Sequence, residues 1–342
     1  MRPQIGMVKF LTTVIRLVVT IGLLAALLSR LDIGRIADIL ANGSLLLFGL
    51  AVAVLAATNP FNALRWQLIL ADCQTVRPSI LLRILFVGWF FNQVLPTGIG
   101  GDAVRAWRCK LAGMSLTNAI RSILLDRASG YVVIVAIFAA SLPALLAIIS
   151  DPFQHRLLLL VLAGAASGLA ALFLIDRLPR IVVRLRPVAP LADLSVEARR
   201  IFLDPRRAVP ILGLALITTG LTVLAADLAG QCVNLHLSFS LWLMIVPPVA
   251  LFQLRPISLG GWGVREAALV VFLGKLGISG ETALAASLCV GVSQILVGLP
   301  GGLIWLNNWD IGGGPSRLSA VGAAADGARG AVAEAASGKR EA

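Results

Sequence analysis

The sequence predicts an all-α polytopic membrane protein of about six full transmembrane helices plus two broken, re-entrant helices arranged in an inverted repeat. Three observations carry that prediction: a shortage of charge, a series of long unbroken apolar runs, and one glycine-centred motif that occurs twice. Of 342 residues, 58% are hydrophobic and only 13% are charged. A soluble domain carries roughly 25% charged residues. The mean hydropathy is +0.92. A bilayer core of about 30 Å requires about 20 apolar residues per helix, and only helices or closed barrels satisfy their backbone there. The apolar runs are continuous rather than alternating, which selects helices over a barrel.

Full spans are expected over residues 10–29, 44–64, 122–149, 156–175, 208–228 and 282–306. The first is read as a retained helix: Arg2 and Lys9 precede it, but no small-residue cleavage site follows. Two further apolar stretches, about 80–95 and 240–254, each run into a proline and a pair of glycines and make poor plain spans. One membrane domain is expected over 1–308, with halves of about 10–150 and 156–308. The tail at 309–342 is rich in Gly, Ala and Ser. It lacks the apolar content to order itself, so disorder is expected there.

The net charge is +12, concentrated in the connections. Residues 176–207 hold Arg177, Arg180, Arg184, Arg186, Arg199, Arg200, Arg206 and Arg207, and positive connections stay in the cytoplasm. Placing that segment inside also places 102–121 inside, with Arg105, Arg108, Lys110 and Arg121. Both termini then face the cytoplasm, and the 229–240 connection, without Lys or Arg, faces outward. Topology and contact with anionic headgroups account for this charge, so a multi-pass location in the cell membrane is expected and no nucleic-acid partner.

Cys73, Cys109, Cys232 and Cys289 form no CxxC pair, and His155 and His236 are the only histidines. No metal site and no cofactor are therefore expected. Enzymatic patterns fail for specific reasons. Gly98-x-Gly100-x-x-Ala103 follows a Pro-terminated apolar helix where a dinucleotide fingerprint needs a strand. Gly277-Ile-Ser279-Gly280 has no histidine after it to serve as base. No catalytic activity is expected.

The repeat is the most informative feature. Gln93-Val-Leu-Pro96-Thr-Gly-Ile-Gly100-Gly101-Asp-Ala-Val104-Arg105 aligns without a gap on Gln253-Leu-Arg-Pro256-Ile-Ser-Leu-Gly260-Gly261-Trp-Gly-Val264-Arg265, 160 residues on, with six of thirteen positions identical. The same offset brings span 44–64 close to 208–228 and 122–149 close to 282–306. An odd number of spans separates the copies, so the charge argument inserts them upside down relative to each other. Inverted repeats with Gly/Pro-interrupted segments at matching places point to a transporter site near the midplane. Pro ends the first half-helix, paired glycines permit a tight turn, and the next helix starts with free N–H groups that favour an anion. Arg105 and Arg265 lie about one turn into those helices, where a guanidinium grips phosphate in bidentate fashion. A plain Pro-Gly-Gly loop is the simpler alternative, but such loops do not usually repeat with a matched Gln and Arg.

The expected lipid- or phosphate-binding set is Asn92, Gln93, Pro96, Gly100, Gly101, Arg105, Gln253, Pro256, Gly260, Gly261, Trp262 and Arg265. Asn92, Gln93 and Gln253 either meet headgroup oxygens or bond between helices. Asp126 and Arg127 admit two readings: a counter-charge or proton carrier at membrane depth, or a headgroup-level anchor. Asp102 is read first as an N-cap, and Glu266 as the local partner of a basic residue. Arg65-Trp66, Trp89, Trp107, Trp242 and Trp305 are assigned to interfacial belts.

Asn92 to Arg105, followed by Gly113, Ala119, Ser122, Asp126-Arg127 and Gly130, resembles the flippase-like family named for the transmembrane region of lysylphosphatidylglycerol synthase. Pro256 to Ala267 is similar to its second signature, and Arg65-Trp66 also fits. The resemblance covers about residues 10–306. It implies a lipid-translocating membrane domain, in some members fused to an aminoacyltransferase or a glycosyltransferase. No room for such a domain follows residue 306, so a stand-alone member without lysylphosphatidylglycerol synthesis is expected. The implied substrate is an anionic phospholipid or polyprenyl-phosphate-linked lipid, with the bilayer and lipid-biosynthesis enzymes as the implied partners. Two alternatives stand beside it: a membrane enzyme acting on a headgroup, with Asp102, Asp126 or Glu266 as its acid or base, and a non-transporting scaffold.

Overall fold

The computed structural model describes residues 14, 17–71, 76–95, 100–178, 189–253, 258 and 261–307. The described residues form helices and turns, with no strand. In chain order the helices are α1 (Leu17–Leu28), α2 (Ile33–Ala41), α3 (Leu45–Ala56), α4 (Thr58–Leu70), α5 (Pro78–Val94), α6 (Gly100–Leu111), α7 (Leu116–Ile148), α8 (Pro152–Leu174), α9 (Ala189–Phe202), α10 (Pro205–Cys232), α11 (Phe239–Gln253), α12 (Val264–Lys275) and α13 (Gly280–Leu306).

Five segments are long and apolar enough to cross a membrane: Leu45–Leu70, Leu116–Ile148, Pro152–Arg177, Pro205–Cys232 and Gly280–Leu306. The expected first span lies partly outside the described residues; its described part, α1, is bent by 89° against α2. Local chemistry sets the helix starts. Ser44, Ser115 and Ser279 accept from the backbone N–H three residues on. Asp151 and Asp204 do so two residues on, each followed by a proline at the first helical position. Gly277 turns at φ 79° after α12 and Ser279 caps α13, which gives the Gly277-Ile-Ser279-Gly280 stretch a structural role.

The span expected to end at residue 64 runs on to Leu70, with a joint at Ala57. Pro60 cannot donate to the Ala56 carbonyl. The Asn59 side-chain amide donates there instead, at 3.3 Å, and the Thr58 hydroxyl donates to Leu55 O at 2.6 Å. The six extra residues carry Arg65 and Trp66 into the bundle.

The arginine-rich connection contains a helix, α9. Leu194, Ala198, Ile201 and Phe202 pack with Ile69, Leu125 and Ile211. Arg199 bonds to Asp176 and donates to the Phe173 carbonyl at 3.1 Å, and Arg121 pairs with Asp193 at 2.6 Å.

Both expected broken segments are pairs of short helices, α5–α6 and α11–α12. In the first pair α6 folds back along α5: a Cβ at Gly88 would stand 2.7 Å from Arg105 Cγ, and one at Gly101 would collide with the Gly88 carbonyl. Apolar burial gives helices no mutual attraction in lipid, so close backbone approach and hydrogen bonding take its place. The same logic joins the halves. Gly298, Gly301 and Gly302 of α13 lie against Phe86 and Phe90 of α5, where any Cβ would meet the α5 backbone or the Phe90 ring. Trp66 and Trp242 are fully buried, which corrects their assignment to interfacial belts; Trp242 sits against the bare backbone of Gly230.

Candidate functional site

Five ionised side chains from three helix systems converge where α4, α6 and α7 meet. Asp126 follows Leu116 by ten residues, about 15 Å along α7 at 1.5 Å per residue, and is 3% exposed. Its Oδ1 accepts from Arg65 Nε at 2.9 Å and its Oδ2 from an Arg105 terminal nitrogen at 3.0 Å. Arg105 also reaches Asp102 at 3.4 Å, and Arg127 closes the network onto the other Asp102 oxygen. Arg65 donates further to the Thr218 hydroxyl of α10 at 3.3 Å. The Arg105 guanidinium lies over the Trp66 ring, 4.2 Å from its centroid, and Trp66 Nε1 donates to Ser122 at 3.1 Å. Charges taken out of water require this density of partners; removing one is far more costly than the net value of the pair.

Part of this network lines a cavity of about 460 Å³. Arg65, Asn92, Arg105, Asp126 and Arg127 supply its polar side, and Leu85, Trp89 and Ile134 its apolar side. Asn92 also accepts from Gly101 N at 3.0 Å, so the α5 end and the α6 start are held by a side chain the sequence analysis had assigned to a headgroup or to helix pairing.

A second, smaller cluster surrounds Arg265 at the start of α12. Arg265 donates to Glu266 at 2.5 and 3.1 Å, to Gln294 at 3.0 Å and to Ser287 at 3.4 Å. Glu266 is fully buried and takes Gly263 N at 2.6 Å, closing the first turn of α12. Gly263 holds φ 83° to permit that turn. Trp262 stacks on the guanidinium at 4.7 Å. Arg265 and Gln253 face a cavity of about 130 Å³, and Gln253 packs on Gly261, as Asn92 does on Gly101.

The sequence model of the lysylphosphatidylglycerol synthase TM region matches residues 13–302, which takes in both motifs and both charge clusters. The chain belongs to this family. No curated protein and no solved structure matches it. Membership and the series of apolar spans make it a multi-pass membrane protein.

The sequence-derived residues of this family member fall into distinct places. Arg105, Asp126, Arg127 and Asn92 share one cavity wall; Arg265, Glu266, Trp262 and Gln253 form the other cluster. Gly100 and Gly101 are buried at the α6 start. Gln93 lies on α5 but does not line the larger cavity. Pro96, Pro256 and Gly260 lie outside the described residues. Asp102 is a correction: α6 starts at Gly100, and the Asp102 carboxylate pairs with Arg105 and Arg127 rather than capping the helix. The Asp126 carboxylate is buried between two guanidiniums, and the Arg127 side chain is partly exposed.

Several contributors were missed. The sequence assigns Arg65 only to an interfacial belt and to the family resemblance, and gives Thr218, Ser287 and Gln294 no role. The available signal was depth: an ionisable or amide side chain inside an apolar run is functional or paired by default. Asp227 of α10, 7% exposed with one oxygen lacking a partner and the other bonded to Gln231, carries the same signal. The metal expectation concerned His and Cys, and no group of three or more potential ligands occurs among the described residues. Cys109, Cys232 and Cys289 are free and buried.

Proposed function

We propose that this protein translocates an anionic lipid across the cytoplasmic membrane, with the headgroup phosphate held at Arg105. One observation carries the reading: Arg105 is buried within the bundle and is one of the residues that line a cavity of about 460 Å³. A buried arginine that lines a cavity inside a membrane domain has a ready use in gripping a phosphate. The apolar side of the same cavity suits the first carbons of the lipid tail.

In this reading the two motif copies are inverted halves, both termini are cytoplasmic, and α5–α6 and α11–α12 are re-entrant hairpins opening to opposite faces. Rocking of one half against the other would expose the headgroup site first to one leaflet and then to the other. Asp126 supplies the counter-charge while the site is empty. The family match supports a lipid-related membrane role. The enzyme alternative is less favoured because both oxygens of Asp126 are engaged by arginines and Glu266 is committed to Arg265 and Gly263.

Purified protein reconstituted with headgroup-labelled phospholipids tests this reading. An impermeant quencher should bleach the inner-leaflet label in protein-containing vesicles and spare it in protein-free ones; equal protection in both refutes translocation. Single cysteines near positions 97 and 259 test the inverted geometry, with opposite-side labelling expected and same-side labelling contradicting it.

A further inference from the structure

The two arginine clusters differ in charge balance. At the larger cavity the guanidiniums of Arg65, Arg105 and Arg127 meet the carboxylates of Asp102 and Asp126, leaving one positive charge in excess. At the smaller one Arg265 faces Glu266, one charge against one. Hydrogen bonding divides the same way. All three nitrogens of Arg265 have acceptors, whereas Arg105 Nε is buried with none. A buried donor without an acceptor costs about 1–3 kcal/mol, so Arg105 is the less fully satisfied of the two guanidiniums. The larger cluster is therefore short of one negative charge and one acceptor, and the smaller is complete.

The bridging carboxylate indicates the shape of the missing group. Each oxygen of Asp126 is taken by a different guanidinium, at 2.9 and 3.0 Å. The two non-bridging oxygens of a phosphodiester present the same pair of acceptors. We propose that Asp126 is a built-in stand-in for the ligand phosphate: a singly charged phosphodiester displaces it from Arg65 and Arg105, and the cavity takes one such group at a time. Only the first motif then binds phosphate; Arg265 and Glu266 hold the α12 turn. One negative charge neutralises the excess, a zwitterion leaves it, and a second charge exceeds it. Displacement also provides for release, since the returning carboxylate competes with the departing phosphate.

This inference rests on the proposed site but not on movement of the ligand, so it is tested by binding. Full-length protein, purified with anionic lipid and then exchanged into neutral detergent, is titrated with short-chain phosphatidylglycerol, phosphatidylcholine and phosphatidic acid. Wild type should prefer phosphatidylglycerol to either by about tenfold, a difference of about 1.4 kcal/mol. Asp126→Asn should bind phosphatidylglycerol about tenfold more tightly. Equal or weaker binding by folded Asp126→Asn overturns the stand-in role. Arg127 is 42% exposed at its side chain, so Arg127→Gln should fold even where a substitution at Asp126 does not. It should lose the preference over phosphatidylcholine; keeping that preference overturns the single-charge assignment. Competition by the water-soluble, singly charged phosphodiester glycerophosphoglycerol separates the sources: displacement of lipid at millimolar levels assigns the site to free phosphodiester groups, and none assigns it to a lipid headgroup. Expected binding without transport would retain the stand-in role and remove translocation, whereas Arg105-dependent transport with unchanged Asp126→Asn affinity would do the reverse.

Discussion

Arg105 and Asp126, on successive helices, meet at 3.0 Å with the arginine 6% and the aspartate 3% exposed. Neither charge has water to fall back on. Removing the carboxylate leaves Arg65 and Arg105 buried without their common partner, and breaking such a pair costs about 3–5 kcal/mol. Asp126→Ala should therefore lower unfolding stability in neutral detergent by that order, and added anionic lipid should restore part of it. A loss within about 0.5 kcal/mol, the usual range for an ordinary surface substitution, would show that the buried network is not formed.

The α5–α6 hairpin depends on bare backbone at Gly101. A methyl group there meets the Gly88 carbonyl and the Asn92 side chain, while one at Gly130, on the cavity wall, meets nothing within 4 Å. Gly101→Ala should destabilise by about 1–3 kcal/mol and reduce the yield of folded protein. Gly130→Ala should be near neutral in the same unfolding assay, and Gly130→Leu should fold yet block lipid transport by filling the cavity.

Glu266 serves two neighbours at once, Arg265 and Gly263 N. Glu266→Gln keeps an acceptor for the turn and loses the charge pair; Glu266→Ala loses both. Unfolding experiments should rank the alanine variant below the glutamine variant by about 1–2 kcal/mol, the order of one hydrogen bond. Equal losses would show that the cap contributes nothing.

The seam between halves has its tightest point at Gly301, where a Cβ would overlap the Phe86 carbonyl. Gly301→Leu should force α13 away from α5 and abolish stable folding, measured as loss of a monodisperse peak on size exclusion. Gly274→Leu is the control, since Gly274 has open space around it.

The spans were legible because bilayer thickness imposes its length directly on the sequence, and the breaks between α5 and α6 and between α11 and α12 because proline and paired glycines interrupt the apolar runs there. α9 was not legible: its apolar positions are interleaved with arginines whose partners, such as Asp176, lie on other elements. Arg105 and Arg265 could be read from the repeat, and Glu266 from its place beside a basic residue. Arg65 could not, because nothing local told that Pro60 makes a joint rather than an end and carries the helix to Leu70. Ser287 and Gln294 belong to the Arg265 cluster only through packing across 22 and 29 residues, a relation no local pattern encodes. The 160-residue offset aligned the motifs yet hid their inequality. Arg65 and Asp126 fall on Ala225 and Ala286 in the second half, so the charged network belongs to one half alone.

The most direct measurement compares translocation of headgroup-labelled phosphatidylglycerol by wild-type and Arg105→Ala protein, reconstituted at equal density and verified as folded. The variant is expected to fall to the rate of protein-free vesicles while Lys275→Ala, outside both clusters, keeps the wild-type rate. Transport by Arg105→Ala as fast as wild type would contradict a phosphate site at Arg105 and the translocation mechanism built on it.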